Sequence, residues 1–256
     1  MSTPRSVADL VSMLAADPGR PRITWYAGGG ERVELSGKVL DNWVAKTTNL
    51  LVEDLDAEPG LRVLLDLPAH WKQVVWALSV WRAGATVVLD SQASNPGADD
   101  DDFPDVVVTS QPDAWTQVPR DTTVVAVALP SLARGWDGTL PEGVMDGVAE
   151  VPLFGDVLGW AEDPEPDDTA VEEEDGETRD FAELLNYAVT FADGREMDNL
   201  PLRMLVPGNS PQALFSVVGI LARGGSAVLV EAAEAAELAS DGVRRERLIE
   251  TERITL

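Results

Sequence analysis

Few side chains in this sequence could do acid–base, nucleophilic or metal chemistry, and their spacing suits it poorly. His70 is the only histidine and there is no cysteine. A thiolate nucleophile, a disulfide and a cysteine metal site are thereby excluded together. A Ser-His-Asp arrangement could use only His70, but no G-x-S-x-G elbow occurs, and no H-x-x-x-H or H-x-x-E spacing offers zinc a pair of ligands. His70 follows an apolar run, at the carboxyl end of a strand where α/β sites form, and reads as a turn residue. The four aspartates Asp99 to Asp102 could ligate a hard cation such as calcium. They lack the spaced ligands and glycine of a calcium loop and read as a solvated acidic loop. The pairs Asp99-Asp100 and Glu172-Glu173 could in principle share acid–base work, which needs two carboxylates in different environments, and neighbours in a polar run share one. Gly28-Gly29-Gly30 invites a phosphate-loop reading, but no helix with a Lys-Ser/Thr pair follows it, so a plain turn is expected. The sequence therefore assigns no catalytic, cofactor-binding or metal-binding residue and calls for no cofactor.

The elements that would have to position any site centre on Arg62 to Asp90. An apolar run from Val63 to Leu67 stops at Pro68, a helical stripe follows, and Gly84 opens a second run from Ala85 to Leu89. This is a β-α-β unit, and its unbroken apolar runs suit parallel strands covered on both faces. Trp71, Trp76 and Trp81 lie in its helix and Trp43 in the helix before it; core or interface packing is expected of them. Upstream, Thr3-Pro4 reads as the start of a short helix with Val7, Leu10, Val11 and Leu14 on one face. Arg22 to Tyr26 and Arg32 to Leu35 read as a hairpin, and Ser36 as the cap of a helix to about Glu53. Downstream, Val106 to Thr109 and Thr123 to Leu129 read as buried strands, with short helices within Gln111 to Arg120 and Gly143 to Val151. Phe181 to Phe191 is a helical stripe. Leu202 to Val206, Pro211 to Arg223 and Ala227 to Val230 form a second β-α-β unit. The chain then reads as helical to about Arg253, and Ile254 to Leu256 as the start of a strand.

The chain has 256 residues, 45 of them acidic and 19 basic, for a net charge of −26. Such a charge repels nucleic-acid phosphates and anionic membranes, so neither is expected as a partner. No apolar run approaches the roughly 20 residues needed to span a bilayer, and no signal-peptide pattern opens the chain, so a cytoplasmic protein is expected. The most acidic stretch, Glu162 to Thr178, has few apolar residues and reads as a mobile linker. The expected organisation is a first α/β half over residues 1–160, an acidic linker over 161–180 and a second α/β half over 181–256. The fold class is α/β, with layered parallel or mixed sheets and flanking helices.

The order of these elements resembles the front part of the AMP-binding, adenylate-forming enzymes, which include the acyl-CoA synthetases. Gly60 to Pro68 is similar to their G-D-R-V-A-x-x-L-P-N strand and turn. Arg82-Ala83-Gly84-Ala85-Thr86-Val87-Val88-Leu89 is similar to K-A-G-A-V-x-V-P-L, and Gly224 to Leu229 to L-x-x-G-G-x-V-V-L. More narrowly, Val33 to Ser36, Asn42 to Thr47 and Thr251 to Thr255 look like a family of short actinobacterial proteins that resembles those enzymes without their second half.

The resemblance implies a loop reading Y-T-S-G-T-T-G-x-P-K, which holds the ATP phosphates, directly after Asp167-Asp168-Thr169-Ala170. What stands there is Val171 to Arg179, with carboxylates at Glu172, Glu173, Glu174, Asp175 and Glu177. Two like charges about 4 Å apart repel by about 1 kcal/mol even in water, so a triphosphate would be disfavoured. Relatives often place a histidine or aromatic in the acyl-site turn, where this chain has Gly208-Asn209-Ser210. Their magnesium- and ribose-binding motifs and C-terminal lysine domain would fall beyond Leu256. The expectation is a non-catalytic or degenerate relative with a binding or scaffold role and a possible homodimer. The rival is a minimal acyl-activating or AMP/acyl-binding protein that keeps part of the ligand cleft.

Overall fold

The computed structural model describes residues 4–89, 103–174, 176–192, 202–210 and 212–255. The aspartate run Asp99 to Asp102 and the expected helix start at Thr3 lie outside the described residues. Two compact units interleave along the chain: one comprises Met1–Asp41, Pro68–Val74 and Glu183–Leu256, the other Asn42–Leu67 and Val75–Ala182. The sequence reading expected consecutive halves instead. The reason for the difference is a strand pairing across the length of the chain, described below for the first unit.

In the first unit, α1 (Val7–Ala15) begins at Ser6, whose hydroxyl accepts the Asp9 N–H at 3.1 Å, and it buries the expected Val7, Leu10, Val11 and Leu14. The hairpin of β1 (Pro21–Ala27) and β2 (Glu31–Ser36) turns through Gly28–Gly30, as a plain turn should. Ser36 then precedes α2 (Gly37–Asp54). The partner of β1 on its other side comes from the far end of the sequence. Strands β10 (Arg203–Pro207) and β11 (Ser226–Val230) are joined by α6 (Ala213–Ala222), and β11 runs parallel to β1 with Ile23 opposite Ala227 and Trp25 opposite Leu229. The sheet order is β10-β11-β1-β2. Helix α5 (Phe181–Ala192) crosses α6 so closely that a Cβ on Gly219 would stand 2.1 Å from the Ala188 carbonyl oxygen. The expected single helix after Glu231 is two, α7 (Ala232–Ser240) and α8 (Gly242–Glu252). Asp241 breaks it by ending α7 and accepting the Arg244 N–H at 3.0 Å to cap α8. Thr255 donates its N–H to the Arg203 carbonyl but belongs to no strand among the described residues.

The second unit holds β3 (Arg62–Asp66), most of α3 (Trp71–Arg82) and β4 (Thr86–Leu89), the unit read from the sequence, with parallel strands. The sheet extends to β5 (Val106–Thr109), β6 (Thr123–Ala126), β7 (Met145–Asp146), β8 (Thr169–Glu173) and β9 (Thr178–Asp180), in the order β7-β6-β5-β3-β4-β8-β9. All pairs are parallel except β8–β9. Trp76 and Trp81 are buried, and the Trp81 indole donates to the Ala170 carbonyl at 2.9 Å. Leu64, Val88, Val107, Trp115 and Val124 form one core cluster. The short helix expected before Val151 is α4 (Gly147–Glu150), capped by the Asp146 carboxylate. The stretch read as a linker is therefore partly sheet: β8 pairs with β4, with Val87 opposite Val171 and Leu89 opposite Glu173. Ala170 and Val171 are fully buried. Two apolar residues and a ladder suffice to place an otherwise acidic strand. Among the described residues no helix is long and apolar enough to cross a membrane.

The α5–α6 crossing sets a steric test. Gly219→Ala is expected to lower unfolding stability by about 1–3 kcal/mol through overpacking, read as a shifted urea midpoint. Gly242→Ala, where nothing lies within 4 Å of the added methyl, should leave the midpoint almost unchanged.

Candidate functional site

In the first unit the parallel strands β1, β10 and β11 end together, and the residues there come from four segments. β10 stops at Pro207 and turns through Gly208, whose N–H donates to the Val230 carbonyl at 2.8 Å. A Cβ on Gly208 would lie 2.4 Å from that oxygen, so only glycine lets the turn approach β11. Glu231 follows β11; its N–H donates to the Tyr26 carbonyl and its carboxylate accepts the Gly28 N–H at 2.9 Å. The triple glycine is thus tied down by a carboxylate, an arrangement opposite to a phosphate cradle.

His70 stands beside this edge, with Ala69 against Gly208. It is 3% exposed, its ring centroid is 4.5 Å from that of Trp25, and its Nδ1 accepts the Lys72 N–H at 3.0 Å. Its carbonyl accepts the Val74 N–H, so the residue caps the first turn of α3 with both side chain and backbone. Burial, reinforced by the charge of Lys72, pushes the imidazole down to about 3. It is neutral at physiological pH, and the lone pair that could act as a base is already engaged. The Lys72 amine lies 5.4 Å from the Trp71 ring centroid, and burial lowers it to about 8 against the opposing pull of Glu31. The expected structural role of His70 is what the geometry gives.

In the second unit, the β8–β9 hairpin occupies the position at which the resemblance places the phosphate loop. Glu173 and Glu177 close its turn through backbone bonds, with Gly176 at φ +79°. Glu172 is gripped by Arg62: Nη2 donates to Oε2 at 2.6 Å and Nε to both oxygens at 3.1 Å. Arg179 pairs with Glu177. Arg62, two strands away in the sheet and distant in sequence, supplies Glu172 with a cation from outside the loop. Asp175 lies outside the described residues. Pattern reading also passed over Asp66 at the end of β3, whose Oδ2 accepts from Thr109 Oγ1 at 2.6 Å and Trp115 Nε1 at 2.9 Å. Both donors hold it in place against the sheet. Among the described residues no group of three histidines or carboxylates could hold a metal ion.

The first unit holds a cavity of about 360 Å³ between the end of β10 and the α7–α8 pair. Leu205, Pro207, Val230, Leu238 and Ile249 are among its apolar lining, with Asn209, Arg245 and Thr255 as polar members. The apolar spacing in the two helices was the signal for it, hidden because they read as one.

No family model matches the chain. It is 38% identical over 172 residues to a "TIGR03089 family protein" of Mycobacterium tuberculosis, covering 65% of this chain and 68% of that one. Among solved structures, it superposes on an acyl-CoA synthetase of Brucella canis with a TM-score of 0.65 and 20% identity, over 88% of this chain and 46% of that one. A structure of the fatty acyl-adenylate ligases of E. coli and L. pneumophila gives 0.70 at 15% identity, over 98% and 45%. The amide bond synthetase McbA of Marinactinospora thermotolerans gives 0.65 at 18%, over 98% and 47%. The chain thus has the α/β fold of these adenylate-forming enzymes and spans about half the length of each.

His70 sets a pH dependence. Its folded pKa lies below the unfolded value of 6.5, so its contribution to stability is complete above pH 6.5 and is lost as pH falls toward 3. Unfolding free energy should drop with a slope approaching about 1.4 kcal/mol per pH unit below pH 6. His70→Asn keeps a capping acceptor without titrating. Chemical denaturation from pH 7 to 5 should show a shallower slope for this variant.

Proposed function

This chain belongs to the TIGR03089 family, and on that footing we propose that it is a binding protein on an adenylate-forming fold that performs no adenylation. The observation that carries the reading is the grip of Arg62 on Glu172. ATP phosphates in that hairpin would have to displace a bidentate carboxylate and stay beside Glu173, Glu174 and Glu177. Breaking a charge-assisted fork to free one arginine costs what the new contact gains, while the neighbouring carboxylates repel the newcomer. The engaged lone pair of His70 supports the same reading, because it removes the one histidine from acid–base work.

The ligand reading rests on the cavity beside Asn209. In this proposal it accepts a short acyl chain, keeping part of what the acyl-site turn does in the enzymes the chain resembles. Its volume is at the small end of ligand pockets, its wall is apolar with few polar groups, and Arg245 can meet a carboxylate. Each methylene buried there would contribute about 0.8 kcal/mol.

Two measurements test the two parts. Pyrophosphate exchange from Mg-ATP with a panel of fatty acids should stay at the no-enzyme background; exchange above background with any acid contradicts the non-catalytic reading. Decanoate should raise the melting temperature of the wild type. Leu238→Trp, which fills the cavity, should abolish that rise, and an equal rise in the variant would refute the acyl site.

A further inference from the structure

The first unit has a second concavity, of about 610 Å³, where the starts of β1 and β10 meet the end of α8. Four arginines line it, Arg20, Arg32, Arg203 and Arg253, against two glutamates, Glu34 and Glu252. In a chain of net charge −26 this is a local reversal of sign.

The arginines divide into a fixed base and an open rim. Glu252 is buried, and it accepts hydrogen bonds from Arg32 Nε at 2.9 Å, from Arg203 and from the Tyr26 hydroxyl. Burial would raise its carboxyl pKa, but the bonds from Arg32, Tyr26 and Arg203 outweigh that and hold it at about 2. Arg203 also donates to Ser226 Oγ at 2.7 Å, Thr24 Oγ1 at 2.8 Å and the Glu252 carbonyl, and Arg32 to Glu34 at 2.7 Å. Arg32 and Arg203 thus each have a carboxylate partner. By contrast, among the described residues no carboxylate or carbonyl engages the guanidinium of Arg20 or Arg253. Arg253 ends α8 in the left-handed conformation, φ +53°, where glycine would be less strained. Arg20 lies close enough to the buried Arg22 that, after burial itself, its charge lowers the Arg22 pKa. Among the described residues, Arg20 and Arg253 therefore line the same concavity with no carboxylate hydrogen-bonded to their guanidiniums, while Glu34 and Glu252 pair with Arg32 and Arg203 and the charge of Asp17 acts on the neighbouring Arg22.

We propose that this groove binds a small phosphate monoester, its dianionic phosphate between Arg20 and Arg253 and its organic part on the wall formed by Pro21, Tyr26 and Leu202. Guanidinium forks match phosphate oxygens two at a time, and the two positive charges by which the four lining arginines exceed the two glutamates match a dianion. The volume leaves room beside the phosphate for an organic part. This site is independent of the acyl cavity and of the β8–β9 hairpin.

Calorimetric titration of the full chain at low salt with phenyl phosphate and with inorganic phosphate is the test. Phenyl phosphate should bind saturably, more tightly than inorganic phosphate, and more weakly as sodium chloride is added. The double variant R20Q/R253Q should lose at least about tenfold in affinity. R120Q/R134Q, which removes two exposed arginines of the other unit, should bind as the wild type does and shows that the loss is not one of net charge. The proposal is overturned if no saturable binding occurs up to about 10 mM, if R20Q/R253Q, with an unchanged circular dichroism spectrum, binds equally well, or if R120Q/R134Q weakens binding as much as R20Q/R253Q.

Discussion

The parallel pairing of β1 with β11 is the constraint from which the first unit follows. It joins residues about two hundred positions apart, and its pairs Ile23–Ala227, Thr24–Val228 and Trp25–Leu229 are buried on both faces of the sheet. Closing so long a loop costs more entropy than any local hairpin, but the cost grows only logarithmically with length. The buried apolar ladder offsets it. Once β11 lies against β1, the turn at Gly208, the packing of His70 on Trp25 and both concavities around β10 are fixed together.

Charge is handled in this molecule by placing a few arginines deep and leaving most carboxylates in water. Arg22, Arg62 and Arg203 each cross between elements: Arg22 donates to the Gly224 carbonyl at 2.8 Å, Arg62 ties β3 to β8, and Arg203 ties β10 to α8. Partly buried, multidentate pairs of this kind gain from reduced screening, whereas the exposed glutamates around them contribute little. The same logic separates structure from function here. An arginine that ties two strands through a carboxylate acts as a strut, as Arg62 does through Glu172.

Much of the fold was legible because parallel strands covered on both faces announce themselves as unbroken apolar runs. Val63 to Leu67, Ala85 to Leu89 and Val106 to Thr109 were readable for that reason, and Gly84, at φ +80°, marked the turn between helix and strand. β8 was missed because only Ala170 and Val171 are apolar, and its place is set by a neighbour's ladder and by Arg62. Interleaving of the two units was hidden because no local pattern reports which distant strand pairs with β1. Asp241 could have been found, since Ser-Asp-Gly inside a helical pattern is a stop followed by a cap. For the site, the sequence showed the turn role of His70, whose ring nitrogen caps α3. It could not see the cavity beside Asn209, which forms only when β10 meets two helices.

Under the proposed function, the hairpin from Thr169 to Asp180 does not receive nucleotide phosphates. The most direct test of this claim is a titration of the ¹⁵N-labelled chain with Mg-ATP, following the backbone amides of Val171 to Arg179. Those resonances should stay in place through millimolar nucleotide. Saturable shifts centred on Glu172 and Gly176 would show that Arg62 can release its carboxylate to hold a phosphate, and would contradict the claim.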